Sequence, residues 1–155
     1  VIVDNPRHLS TKHYIEPLTL GFICYDSNGQ NLFTGQPVRY DEQEKKWVRD
    51  ITKRFSPIDD DDLKHALDKA IRFHELKAVN AQGYAYTEDD VIGDEDSRVR
   101  MLHFCLIHPP KALCGKGEMG SLKAGKKADL TSYSLQILRS VEFLDDPPPG
   151  DAAAP

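Results

Sequence analysis

Val99-Arg100-Met101-Leu102-His103-Phe104-Cys105-Leu106-Ile107-His108 is the stretch on which the fold turns. In an extended chain Val99, Met101, His103, Cys105 and Ile107 share one face, and Arg100, Leu102, Phe104, Leu106 and His108 share the other. Both faces become apolar after Arg100. A strand covered on both sides belongs in the middle of a sheet.

The residues on either side supply the rest of the expected domain. Leu18, Leu20, Phe22 and Cys24 alternate with Thr19, Gly21, Ile23 and Tyr25, the pattern of a strand with one buried face. Cys24 is expected inside it as a small hydrophobe. Asp26-Ser27-Asn28-Gly29 reads as a tight turn and Asn31 to Thr34 as the returning strand. Val38 to Tyr40 and Lys46 to Val48 suggest a short hairpin with Trp47 packed at its edge. Tyr84 and Tyr86 flank Ala85 in another short strand. Pro57 to Val79 reads as a helix: Asp59 to Asp62 suit its first turn, and Leu63, Ala66, Leu67, Ala70, Ile71, His74 and Ala78 recur at helical spacing. Leu130, Tyr133, Ile137, Val141 and Leu144 repeat that spacing, with Asp129 as the cap. Val141 and Phe143 also fit a strand. The expected fold is α+β: an antiparallel or mixed sheet centred on Val99 to Ile107, with helices over Asp60 to Val79 and Leu130 to Ser140 packed on it. Residues 1–144 are expected to form one domain, opening with an arm over Val1 to Ser10, and residues 145–155 a disordered Pro/Ala-rich tail.

Bulk composition limits the function. The net charge is -5, which disfavours nucleic acid and anionic membrane as principal partners. No apolar run approaches the roughly 18 residues of a spanning helix. The chain begins at Val1. A trimmed sequence or a removed N-terminal segment, including one bearing a lipid anchor, would both account for that. Three cysteines are present. Cys105 and Cys114 either bridge the strand to the loop after it or stay as two reduced, buried thiols.

The chemical motifs each lack a requirement. Gly115-Lys116-Gly117-Glu118-Met119-Gly120 matches GxGxxG, but Lys123 to Lys127 is a poor helix start and too little chain remains beyond it for a dinucleotide fold. Gly120-Ser121-Leu122-Lys123-Ala124-Gly125-Lys126 resembles the start of a phosphate-binding loop, yet Lys127 stands where the Mg²⁺-binding hydroxyl is needed. The reading is a flexible Gly/Lys-rich loop over 115–127. His103 and His108 point to opposite faces of a strand, His65 and His74 to opposite sides of a helix, and there is no CxxC or HExxH. Neither a metal site nor a cofactor is expected. Cys114, beside Gly115 and Lys116, is the better of two thiol nucleophile candidates. Glu88, Asp89, Asp90, Asp94, Glu95 and Asp96 form the densest charge cluster, whereas Lys111, Lys116, Lys123, Lys126 and Lys127 make the next segment basic. Such surfaces suit charge-steered protein recognition.

Phe104-Cys105-Leu106-Ile107-His108-Pro109-Pro110-Lys111-Ala112-Leu113-Cys114-Gly115-Lys116-Gly117-Glu118, followed by Leu130-Thr131-Ser132-Tyr133 and Ile137 to Leu144, resembles the C-terminal part of small bacterial immunity proteins. Those proteins neutralise toxins delivered between bacteria, often by type VI secretion, and many act in the periplasm. The resemblance implies a non-enzymatic inhibitor that occludes the active site of a cognate toxin. The expected contact residues are Glu88, Asp89, Asp90, Asp94, Glu95, Asp96, Lys116, Glu118, Lys123 and Lys126. The alternative is a small cytoplasmic enzyme or nucleotide binder using the 115–127 loop with Cys114.

Overall fold

The computed structural model describes residues 2–3, 18–27, 35–52 and 60–144. The element order is β1 (Ile2–Val3), β2 (Leu18–Asp26), β3 (Val38–Asp41), β4 (Lys46–Arg49), α1 (Asp61–Ala70), β5 (Ile71–Lys77), β6 (Gln82–Asp89), β7 (Val99–His108), β8 (Lys111–Ser121) and α2 (Thr131–Arg139). The fold is α+β. One antiparallel sheet runs in the order β1-β2-β8-β7-β6-β5, and β3 and β4 form a separate hairpin. The arm over Val1 to Ser10 (apart from Ile2 and Val3), the Asn28-Gly29 turn, the Asn31 to Thr34 strand, the start of the first helix at Pro57 to Asp59 and the 145–155 tail lie outside the described residues.

β7 lies between β6 and β8, as its two apolar faces require. One face carries Leu102, Phe104 and Leu106, which join Leu18, Leu20, Leu76, Ala85 and Met119 beneath Leu135 and Leu138 of α2. The other carries Cys105, which packs with Tyr84, Tyr86, Ile71 and Ala112 under Val38 and Trp47 of the small hairpin. The Trp47 ring stands 4.9 Å from that of Tyr84. Two cores therefore share one sheet, and each strand feeds both through alternation.

Three expectations require correction. The helix beginning at Asp60 stops at Ala70. Asp60 caps it by accepting a bond from the Leu63 N–H at 3.0 Å, but Ile71 to Lys77 is a strand paired with β6. Ile71 and Leu76 are buried on opposite faces of that strand, and a two-faced apolar pattern mimics helical spacing. His74 is therefore a sheet residue. Next, the expected 115–127 loop is mostly strand. β8 reaches Ser121, leaving only 122–130 as the connection to α2, with a single 3₁₀ turn at Gly125–Lys127. Its glycines answer to crowding: a β-carbon on Gly115 would overlap the Gly21 carbonyl oxygen and press on the Phe104 ring. Finally, Cys24 is exposed, because β2 lies near the sheet edge beyond the cover of α2.

Candidate functional site

Antiparallel pairing gives the sheet two ends. At one end lie the β5–β6 turn and the Pro109-Pro110 turn. At the other, Val99 pairs with Ser121, so the acidic segment entering β7 and the basic segment leaving β8 become neighbours. They are joined directly: the Leu122 N–H donates to the Arg98 carbonyl at 3.0 Å, and Lys123 Nζ lies 2.7 Å from Asp96 Oδ2.

The acidic segment is held in shape by its own carboxylates. Asp90 Oδ1 accepts the Ile92 N–H at 3.2 Å, and Asp94 Oδ1 accepts the Asp96 N–H at 3.1 Å, opening a 3₁₀ turn at Glu95–Ser97. Arg98 donates to the Gly93 carbonyl at 3.0 Å and pairs with Glu95 at 3.9 Å. Ile92 projects from this segment and is 65% exposed, an apolar point within an acidic rim.

Beside the two segments, on the face that α2 covers, lies a cleft of about 390 Å³. Arg72, Arg100, Met119, Gly120 and Ser121 line it from the sheet, Leu122, Gly125 and Lys126 from the connection, and Asp129 and Ser132 from the start of α2. Arg100 is its fixed post. Its guanidinium grips Asp89 through Nε–Oδ1 at 2.5 Å and Nη2–Oδ2 at 2.7 Å, and reaches Asp129 Oδ2 through Nη1 at 2.5 Å. The Asp89 bonds hold the Arg100 pKa above its ordinary value, against partial burial. Burial works against the Asp129 charge, yet bonds from the Thr131 hydroxyl and N–H and from Arg100 outweigh it, so its pKa lies below the usual carboxylate range. Arg72 makes only a longer contact with Asp89, at 3.5 Å. Among the described residues, no group of three His, Cys, Asp or Glu side chains is placed to hold a metal ion.

The expected contact residues divide. Asp90, Asp94, Glu95, Asp96 and Lys123 form the charged end, with Lys126 on the cleft wall and Asp89 holding Arg100 beside it. Glu88, Lys116 and Glu118 lie on strands and, by alternation, face the side away from α2 and the cleft. Arg72, Arg100, Asp129 and Ser132 were missed by the sequence reading. Arg100 carried the available signal, as the one charge inside an otherwise apolar strand.

Cys105 and Cys114 are directly opposed on β7 and β8 and form a disulfide, with Cα atoms 3.9 Å apart. Cys114 therefore has no thiolate to serve as a nucleophile. No helix is long and apolar enough to cross a membrane among the described residues. No protein-family model, curated protein or solved structure matches this chain.

Proposed function

We propose that this is a binding protein of the immunity type, which occludes the active site of a cognate bacterial toxin with the charged end of its sheet. The observation that carries the reading is the union of two oppositely charged segments into one surface through Lys123–Asp96 and Leu122–Arg98. A surface ordered before binding loses less conformational freedom on docking, and its charges steer encounter and reject wrong partners. Ile92 supplies an apolar point of contact, and the neighbouring cleft admits a side chain of the partner. The resemblance of Phe104 to Glu118, Leu130 to Tyr133 and Ile137 to Leu144 to immunity proteins implies the same role.

The periplasm is the proposed compartment, because a disulfide persists in an oxidising environment. Native protein should then contain one free thiol, Cys24. Three free thiols would instead favour the cytoplasm.

The binding test uses the product of the adjacent gene. A secreted toxin there should form a one-to-one complex with this chain and lose its activity. Reversing Asp94 and Glu95 to Lys should slow association about tenfold or more at low salt. A neighbouring toxin that stays active and unbound overturns the proposal.

A nucleotide-binding reading has one observation in its favour: five residues of Gly120 to Lys126 line the cleft with Arg72. Binding should then raise stability by about 2.7 kcal/mol at a hundredfold excess of nucleotide over Kd. An unchanged melting curve excludes it.

A further inference from the structure

The cleft beside the charged end has a charge balance unlike that of the chain around it. Its walls carry Arg72, Arg100 and Lys126 against Asp129. Arg100 brings in a second carboxylate, Asp89. Three cations therefore meet two carboxylates, in a chain whose net charge is -5. Both carboxylates close on Arg100, so its positive charge is already matched. That leaves Arg72 and Lys126. Arg72 reaches Asp89 only at 3.5 Å, and Lys126 makes no ion pair among the described residues. Both residues are exposed, so both stay open to a ligand.

The walls are tied in place before anything enters. The connection after β8 begins at the Leu122 bond to the Arg98 carbonyl and ends where the Leu130 N–H donates to the Met119 carbonyl at 2.9 Å. Arg100 fixes the start of α2 through Asp129. Gly120 lets the connection return close to the sheet, since a β-carbon there would overlap the Ala128 carbonyl oxygen. Lys126 is held between these ties, with Arg72 on the sheet wall and the Ser132 side chain on the helix wall.

We propose that the cleft is a carboxylate subsite: an acidic side chain of the partner protein enters it and is bound by Arg72 and Lys126, with the Ser132 hydroxyl as a further donor. The inference rests on the binding role above for naming a protein as the carrier. One negative charge balances the one unmatched positive charge. A phosphate dianion would leave a surplus beside Asp89 and Asp129, where like charges repel at short range. An arginine also offers a planar fork that fits a carboxylate through two parallel bonds. The outer segment asks for the opposite sign, because Asp90, Asp94, Glu95 and Asp96 outnumber Arg98 and Lys123. The complementary partner surface is therefore a carboxylate set in a basic surround.

The test needs no partner. The full chain, isotope-labelled for NMR, is titrated at constant ionic strength with N-acetyl-glutamate amide, whose only charge is the side-chain carboxylate. The Arg72 Nε–H and the backbone amides of Gly120 to Lys126 should shift and saturate, with a Kd on the order of 10 mM for so small a piece of an interface. The matching glutamine compound should shift neither, and inorganic phosphate should bind more weakly than the glutamate compound. Read from the same amides, Arg72→Gln and Lys126→Gln should each weaken binding about threefold or more, while Lys127→Gln, outside the cleft lining, should leave it unchanged. No saturable shift, an equal response to the glutamine compound, tighter binding of phosphate, or an equal loss with Lys127→Gln each overturns the proposal. Free succinate bound about a hundredfold tighter than the glutamate compound would make the cleft a site for a small metabolite, and overturns it as well. Any of these failures leaves the occluding surface around Asp94 and Lys123 standing. A neighbouring toxin that stays active and unbound removes the protein carrier without changing the titration, so the two failures are told apart.

Discussion

Arg100 shows how one side chain couples separate parts of the chain. Asp89 ends β6 and Asp129 precedes α2, and both carboxylates close on the same guanidinium, whose side chain is 14% exposed. Arg100→Ala leaves two partly buried carboxylates facing each other. The expected cost is about 2–3 kcal/mol, measurable by urea denaturation. His74 makes a different prediction. Its Nε2 is enclosed without a hydrogen-bond partner among the described residues. Burial lowers its pKa below 6.5, and Arg139, Arg72 and Arg100 add to this against Asp129. A depressed histidine pKa means that the unfolded chain takes up the proton first as pH falls. Stability from this group is therefore complete above pH 6.5 and declines as pH drops through the folded value. His74→Gln should flatten that part of the stability-against-pH curve; an unchanged slope would assign it to other groups.

At the scale of elements, the parts that sequence revealed are those whose local pattern agrees with their surroundings. β7 is legible because both faces are apolar, and α2 because of its helical spacing; Asp129, expected as its cap, instead precedes the Leu130 N-cap and accepts the Thr131 N–H. β5 is not legible, because Ile71 and Leu76 serve opposite faces. β8 was hidden for another reason. Gly115, Gly117 and Gly120 have low strand propensity, and the apolar surface around them comes from Leu20, Phe22 and Phe104 on neighbouring strands. The charged end was half legible: the two charge blocks stand out in sequence, but their meeting depends on the β7–β8 register. The disulfide clamps that register. Cys105→Ala with Cys114→Ala should lower stability by roughly 2–3 kcal/mol for a loop of this size, read by denaturation of oxidised wild type against the variant.

For the whole molecule, the central fact is that two cores hang on one sheet. Leu102, Phe104 and Leu106 belong to one, and Cys105 between them belongs to the other. Neither can melt while β7 stays extended and covered. Trp47→Ala empties the smaller core and should cost about 3–5 kcal/mol. Its unfolding should nevertheless remain one transition, with tyrosine fluorescence and far-UV circular dichroism coinciding. Two separated transitions would mean that the β3–β4 side folds as its own unit.

Asn80 extends this to the remote end of the sheet. Its amide donates to the Phe143 carbonyl at 2.7 Å and accepts the Phe143 N–H at 2.9 Å, as a neighbouring strand would, while the His108 ring stacks on Phe143 at 5.3 Å. The described chain is thus pinned opposite the charged end, and Leu144 emerges there 79% exposed. With Cys24, the exposed free thiol, replaced by serine, a biosensor linkage made through a cysteine placed at Leu144 would hold the molecule by its back and turn the Lys123–Asp96 surface toward the flowing solution.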